Sequence, residues 1–217
     1  MKISGAIFDM DGTLLDSMWI FENYASRYVR SRGLVPDPAL DRTVATFTLA
    51  ESASYIAKAY CIPGGALQVA RELTEAGEAC YESVVAKAGV MALLDTLRAA
   101  GVSMALATMT ARPTAERVLA RLGILPYIPH IVTCDEVGAQ KTSPAVYRAA
   151  LSALGTRKNE TVVFEDAFYA LRTAHDDGFP TVAVYDESSA YHFGEASALS
   201  FLAIRDYRKA DLSPYLS

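Results

Sequence analysis

Five short runs rich in apolar and β-branched residues recur along the chain, at 3–8, 102–107, 130–133, 161–164 and 181–185. Their length and composition suit buried strands. The intervals between them carry helical spacing. One helix is expected from Ala111 onward, with Val118, Leu119 and Leu122 on its apolar side and Gly123 as a stop. Pro113 falls in the first turn of that helix, where its missing N–H costs nothing. Ser143-Pro144 opens another, with Val146, Tyr147, Ala150, Leu151 and Leu154 as its inner face, and a third spans 90–100 before Gly101. Strands alternating with helices imply parallel pairing, because a parallel crossover needs roughly a dozen or more residues to return. The expected core is therefore α/β with a parallel sheet. Residues 201–204 are a candidate last edge strand, followed from Asp206 by a short helix or coil.

The segment 17–86 departs from this alternation. It offers no convincing strand, contains Trp19, and breaks into helix-forming runs at Gly33, Pro36, Pro38 and Pro63-Gly64-Gly65. About four helices are expected there. So long an insertion exceeds what a crossover requires, which divides the chain into a core (1–16 and 87–217) and a separate α-helical domain (17–86). The composition is that of a soluble globular protein, with 52% hydrophobic and 21% charged residues. A net charge of -5, with scattered Lys and Arg, argues against a nucleic-acid surface. No apolar run is long enough for a membrane span, and the one before Asp9 is too short for a signal peptide. Cys61, Cys80 and Cys134 are widely spaced and odd in number, as free thiols in a reducing cytoplasm would be. His130, His175 and His192 lack metal-ligand spacing, so no zinc site is expected.

Ligands of parallel α/β sheets bind outside the carboxyl ends of the strands. At those ends stand Asp9 and Asp11, Thr108, and Glu165-Asp166, and Lys141 lies just beyond the 130–133 strand. Any one of the acids alone is as readily a turn or cap residue. Their convergence on one sheet edge points to a site. Asp9 and Asp11 are two apart, so an extended backbone would send both carboxylates to one face. Such neighbours repel, and a hard cation with oxygen ligands, above all magnesium, relieves that. Gly12 allows a tight turn after them. One carboxylate can attack phosphorus to give an aspartyl-phosphate. A second carboxyl group can protonate the leaving oxygen and then activate water. Thr108 and Lys141 would bind the non-bridging oxygens.

The run Asp9-Met10-Asp11-Gly12-Thr13-Leu14-Leu15-Asp16-Ser17 resembles the first motif of the haloacid dehalogenase superfamily. Thr108 in Leu106-Ala107-Thr108-Met109-Thr110, Lys141 in Gln140-Lys141-Thr142-Ser143-Pro144, and Phe164-Glu165-Asp166-Ala167 resemble its second, third and fourth, in the family's order. The resemblance implies a Rossmann-like parallel core with an inserted helical cap of the first type. It implies Asp9 as nucleophile, Asp11 as general acid/base, and Thr108 with Lys141 as phosphate-binding pair. It implies Mg2+ held by Asp9, the main-chain carbonyl of Asp11, and Asp166, with Glu165 nearby. The branch it most resembles contains β-phosphoglucomutase and related phosphatases. Thr142, Ala167, Ala170 and Ala88 depart from common residues of that branch, and none removes a reacting group.

Three outcomes are then weighed. Hydrolysis of a small phosphorylated metabolite is favoured. A mutase needs basic cap residues for a second phosphate, whereas 47–51 has Leu49 where an arginine is expected, 73–78 has no lysine, and Phe21 stands near where the mutase has a histidine. A catalytically impaired phosphate-binding protein is the third. Phosphonate cleavage would need an early cap lysine, and none occurs between Asp16 and Ile56. Asp11 argues against dehalogenation. A monomer is the expected state. Cap opening and closing is expected to hinge near 16–17 and 86–89, since closure would exclude water from the nucleophile.

Overall fold

The computed structural model describes residues 2–44 and 47–216. The outer ends of the expected core, residues 1 and 217, and positions 45 and 46 of the expected helical domain lie outside the described residues. The chain folds as two compact units, 1–18 with 84–217, and 19–83.

The first unit begins with β1 (Gly5–Phe8) and β2 (Leu15–Asp16). The second unit holds α1 (Tyr24–Ser31), α2 (Leu40–Val44), α3 (Leu49–Ala59) and α4 (Gly65–Cys80). These four helices bury Ala25, Val29, Leu40, Val44, Ala53, Ile56 and Val69 against one another. Thr48 starts α3 with a reciprocal cap, its side chain accepting from the Glu51 N–H while Glu51 accepts from the Thr48 N–H.

The first unit resumes with β3 (Val85–Ala86), α5 (Val90–Ala99), β4 (Ser103–Thr108), α6 (Arg112–Arg121), β5 (His130–Thr133) and α7 (Cys134–Val137). Then follow α8 (Ala145–Leu154), β6 (Thr161–Glu165), α9 (Phe168–Asp176), β7 (Thr181–Val184), α10 (Phe193–Leu199) and β8 (Leu202–Ile204). Six strands form one sheet in the order β5-β4-β1-β6-β7-β8, and every neighbouring pair in it is parallel. The core is thus the Rossmann-like α/β sheet that the alternation implied. The segment 17–86 holds one strand residue pair that periodicity does not reveal: Val85 and Ala86 pair antiparallel with Asp16 and Leu15. Two residues are too few to show a period. From Asp206 onward there are 3-10 turns at Tyr207–Lys209 and Ser213–Tyr215. Among the described residues, no helix is long and apolar enough to cross a membrane.

The strand registers bring the site together. Phe8 is level with Leu106 of β4 and Phe164 of β6. The residues following each therefore emerge at the same sheet edge. On one face Ile7, Ala105, Ala107 and Val163 pack with Val146, Tyr147 and Ala150 of α8 and with Phe179. The rings of Phe8 and Phe164 stack, centroids 4.4 Å apart, immediately before Asp9 and Glu165. Both rings are fully buried, so they fix the level at which those carboxylates leave the sheet. Phe164→Ala should lower stability by about 3–5 kcal/mol, measured as a fall in the urea unfolding midpoint, with Phe164→Leu losing much less.

Candidate active site

Lys141 lies at the centre of the strand-end cluster. Its ammonium pairs with Asp9 and donates to Glu165 Oε1 at 2.6 Å. All three side chains are almost wholly buried, as is Asp166. Burial alone would push the Lys141 ammonium down, but the charges of Asp9 and Glu165 outweigh it and raise its pKa. Burial raises the Glu165 carboxyl, with Asp9 and Asp166 adding and Lys141 opposing. Burial likewise raises Asp166, and Asp9 adds to it. These directions describe one physical fact. Three acids share a dry space with one base, and the uncompensated negative charge is costly there.

Asp9, Glu165 and Asp166 each place a ligand oxygen within 4.8 Å of the others. The donor set is all carboxylate, the kind that hard divalent cations take. When ionised, the three acids less the one Lys141 ammonium leave two negative charges, equal to the charge of one such ion. Among the described residues, Glu165 Oε2 is the buried side-chain polar atom that lacks a hydrogen-bond partner. An orphaned carboxylate oxygen is rare in a folded core and fits a cation ligand. The residues present therefore suit a divalent ion.

Gly12 shapes the floor of this cluster. Its φ of +78° is a conformation that L side chains rarely adopt, and a Cβ there would meet Asp166 Oδ2 at 2.5 Å. Thr13 follows and donates its hydroxyl to Asp166 Oδ1 at 3.1 Å. The first loop thus grips Asp166 from across the sheet edge.

Strand β1 ends at Phe8 and the chain turns. The Asp11 carboxylate is not part of the acid triad. Its Oδ1 accepts from the Ser17 hydroxyl and its Oδ2 from the Thr110 hydroxyl, both at 2.6 Å. Two hydroxyl donors thus hold the Asp11 carboxylate. Glu165 and Asp166 both bring a carboxylate oxygen close to Asp9, and sequence reasoning leaves Glu165 beside the metal set. Thr108 is buried at the end of β4, and its hydroxyl accepts from the Thr110 N–H at 3.0 Å.

Four supporting residues are not singled out by sequence reasoning: Thr13, Ser17, Thr110 and Tyr147. The first three sit inside the motif runs, and hydroxyls so near paired acids are a usable signal. Tyr147 has none, because its position in α8 reads only as apolar helix face. Its ring is fully buried and its hydroxyl donates to Glu165 Oε1 at 2.7 Å. Burial, reinforced by Glu165, holds the phenol pKa far above its usual value.

Comparison with known proteins agrees with this arrangement. The chain is 32% identical over 172 residues to hexitol phosphatase A of Escherichia coli, covering 77% of this chain and 76% of that protein. It is 28% identical to the fructose-1-phosphate phosphatase YqaB of the same organism, over 84% of this chain and 97% of that one. Among solved structures, β-phosphoglucomutase from Clostridium difficile superposes with a TM-score of 0.73 at 16% identity, covering 98% of this chain and 95% of that one. Residues 6–184 match the haloacid dehalogenase-like hydrolase family. With the parallel core and phosphatase relatives, this chain belongs to the haloacid dehalogenase-like hydrolases and is a hydrolase acting on phosphate monoesters.

Proposed function

We propose that this protein is a magnesium-dependent phosphatase that hydrolyses a small phosphomonoester through an aspartyl-phosphate on Asp9. The observation that carries the reading is the buried cluster of Asp9, Glu165 and Asp166 around Lys141. In it, Asp9, Glu165 and Asp166 would hold Mg2+. When bound, the ion supplies positive charge to offset the acids and the phosphoryl oxygens.

The chain's own groups account for the two half-reactions. The Asp9 carboxylate oxygen forms a bond to phosphorus as the bond to the leaving oxygen breaks. Asp11, as the carboxylic acid, gives its proton to that oxygen and the alcohol departs. Asp11, now a carboxylate, takes a proton from water. The water oxygen bonds to phosphorus, and the bond to Asp9 breaks to release phosphate and restore the nucleophile. Thr108 and Lys141 hold the non-bridging oxygens through both steps. The Ser17 and Thr110 hydroxyls keep Asp11 aimed, and each can rotate between donating and accepting as Asp11 changes protonation. The relatives' names point to sugar and polyol phosphates, and we infer a substrate of that class. The cap segments without basic residues favour water over a second phosphorylated position as acceptor.

Four outcomes are expected. The protein should hydrolyse p-nitrophenyl phosphate with Mg2+ and lose that activity in EDTA. Asp9→Asn should cost roughly 10³-fold or more in kcat; hydrolysis that survived the substitution would contradict the reading. Asp11→Asn should slow turnover by roughly 10²–10⁴-fold with little change in the Mg2+ requirement, followed as initial rate against Mg2+ concentration. Mg2+ at ~100 times its Kd should stabilise the protein by about 2.7 kcal/mol. That is roughly 5–10 °C in a thermal melt of a chain this size, and Asp166→Asn should abolish the shift.

A further inference from the structure

The two oxygens of Glu165 differ sharply in their surroundings. Oε1 receives two donors, Lys141 Nζ at 2.6 Å and the Tyr147 hydroxyl at 2.7 Å, while Oε2 receives none. Lys141 contributes to this asymmetry, but its ammonium is shared with Asp9. The second donor comes from a ring that cannot easily move. Tyr147 has no exposed surface, sits edge-on to Phe179 with centroids 6.4 Å apart, and packs among Ile7, Val163 and Ala174. The Tyr147 hydroxyl also lies 3.4 Å from the Ala170 carbonyl. It has only one proton, and the shorter contact to Glu165 takes it.

We propose that Tyr147 is a positioning residue for the cation site: it holds Glu165 by Oε1, so that Oε2 alone is offered to a divalent ion alongside Asp9 and Asp166. This rests on the phosphatase reading only in placing a cation among these acids. The consequence is ion selectivity. A glutamate held by one oxygen binds an ion through the other and cannot grip it with both. Magnesium accepts single-oxygen carboxylates in a tight octahedral shell and keeps several waters. Calcium takes more oxygens at longer range and readily uses both oxygens of one carboxylate. The phenol therefore favours the smaller ion, by fixing the carboxylate rather than by touching the metal.

The test is calorimetric titration of the full chain with MgCl2 and with CaCl2, without substrate. Tyr147→Phe keeps the ring and removes only the donor. Its Mg2+ affinity should fall by about tenfold or more, as for other partners that orient a ligand. Its Ca2+ affinity should fall less, so that the Mg2+ preference narrows. With p-nitrophenyl phosphate, the Mg2+ concentration for half-maximal rate should rise in step, with kcat at saturating Mg2+ close to the parent. A double variant with Glu165→Gln should bind Mg2+ no worse than Glu165→Gln alone, because the phenol acts through that carboxylate. Unchanged Mg2+ affinity in Tyr147→Phe, equal losses for both ions, or additive losses in the double variant would each overturn the proposal. So would a parent protein that binds no Mg2+. Because binding is read without turnover, Mg2+ binding with no hydrolysis would defeat the phosphatase reading and leave this one standing.

Discussion

Three carboxylates and one ammonium occupy a space from which water is nearly excluded, and the neighbouring structure serves to make that tolerable. Asp9, Glu165 and Asp166 leave the ends of two adjacent strands, and Lys141 reaches them from the segment before α8. One positive charge cannot balance three negative ones. The raised carboxyl pKa values and the unpartnered Glu165 oxygen are the marks of that imbalance. A divalent ion removes it, and a phosphoryl group then finds positive charge where there had been an excess of negative.

The fold supports this arrangement at several levels. The parallel registers set Phe8 level with Phe164, so the acids that follow them emerge side by side. The stacked rings beneath prevent either strand end from sinking. Gly12 lets the first loop close over Asp166 where any larger residue would strike it, and Thr13 ties the two together. Asp11 accepts from the Ser17 and Thr110 hydroxyls, one on each carboxylate oxygen. Asp9 and Asp11, proposed as nucleophile and acid/base, have different hydrogen-bond partners although only one residue separates them.

Much of this is legible in the sequence for a physical reason. In a parallel sheet the strands themselves announce where a site must lie, and Asp9, Thr108, Lys141 and Asp166 all stand at or just beyond strand ends. Burial of a strand is written in its own residues, so β1, β4, β5, β6 and β7 are recoverable to within a residue or two. What escapes depends on contacts distant in sequence. The β2–β3 pair is two residues long on each side and carries no period. Tyr147 looks like core packing until its hydroxyl is seen against Glu165, 18 residues away. The spacing of Asp9 and Asp11 suggests a shared face because it assumes an extended backbone, and the strand ends at Phe8, before either of them. That Glu165 joins Asp9 and Asp166 in one buried cluster is seen only once the strand ends are brought together.

The central claim is that Asp9 carries the phosphoryl group during turnover. With p-nitrophenyl phosphate, whose leaving group needs no acid, Asp11→Asn should let it accumulate by slowing attack of water on the intermediate. That variant can be mixed with excess substrate and Mg2+, quenched in acid and reduced with borohydride. Reduction converts an acyl phosphate at Asp9 to homoserine, which peptide mass spectrometry locates. Conversion confined to Asp9, and absent without substrate, is the expected result. Hydrolysis with Asp9 unmodified at every quench time, or conversion at Glu165 or Asp166 instead, would contradict the account.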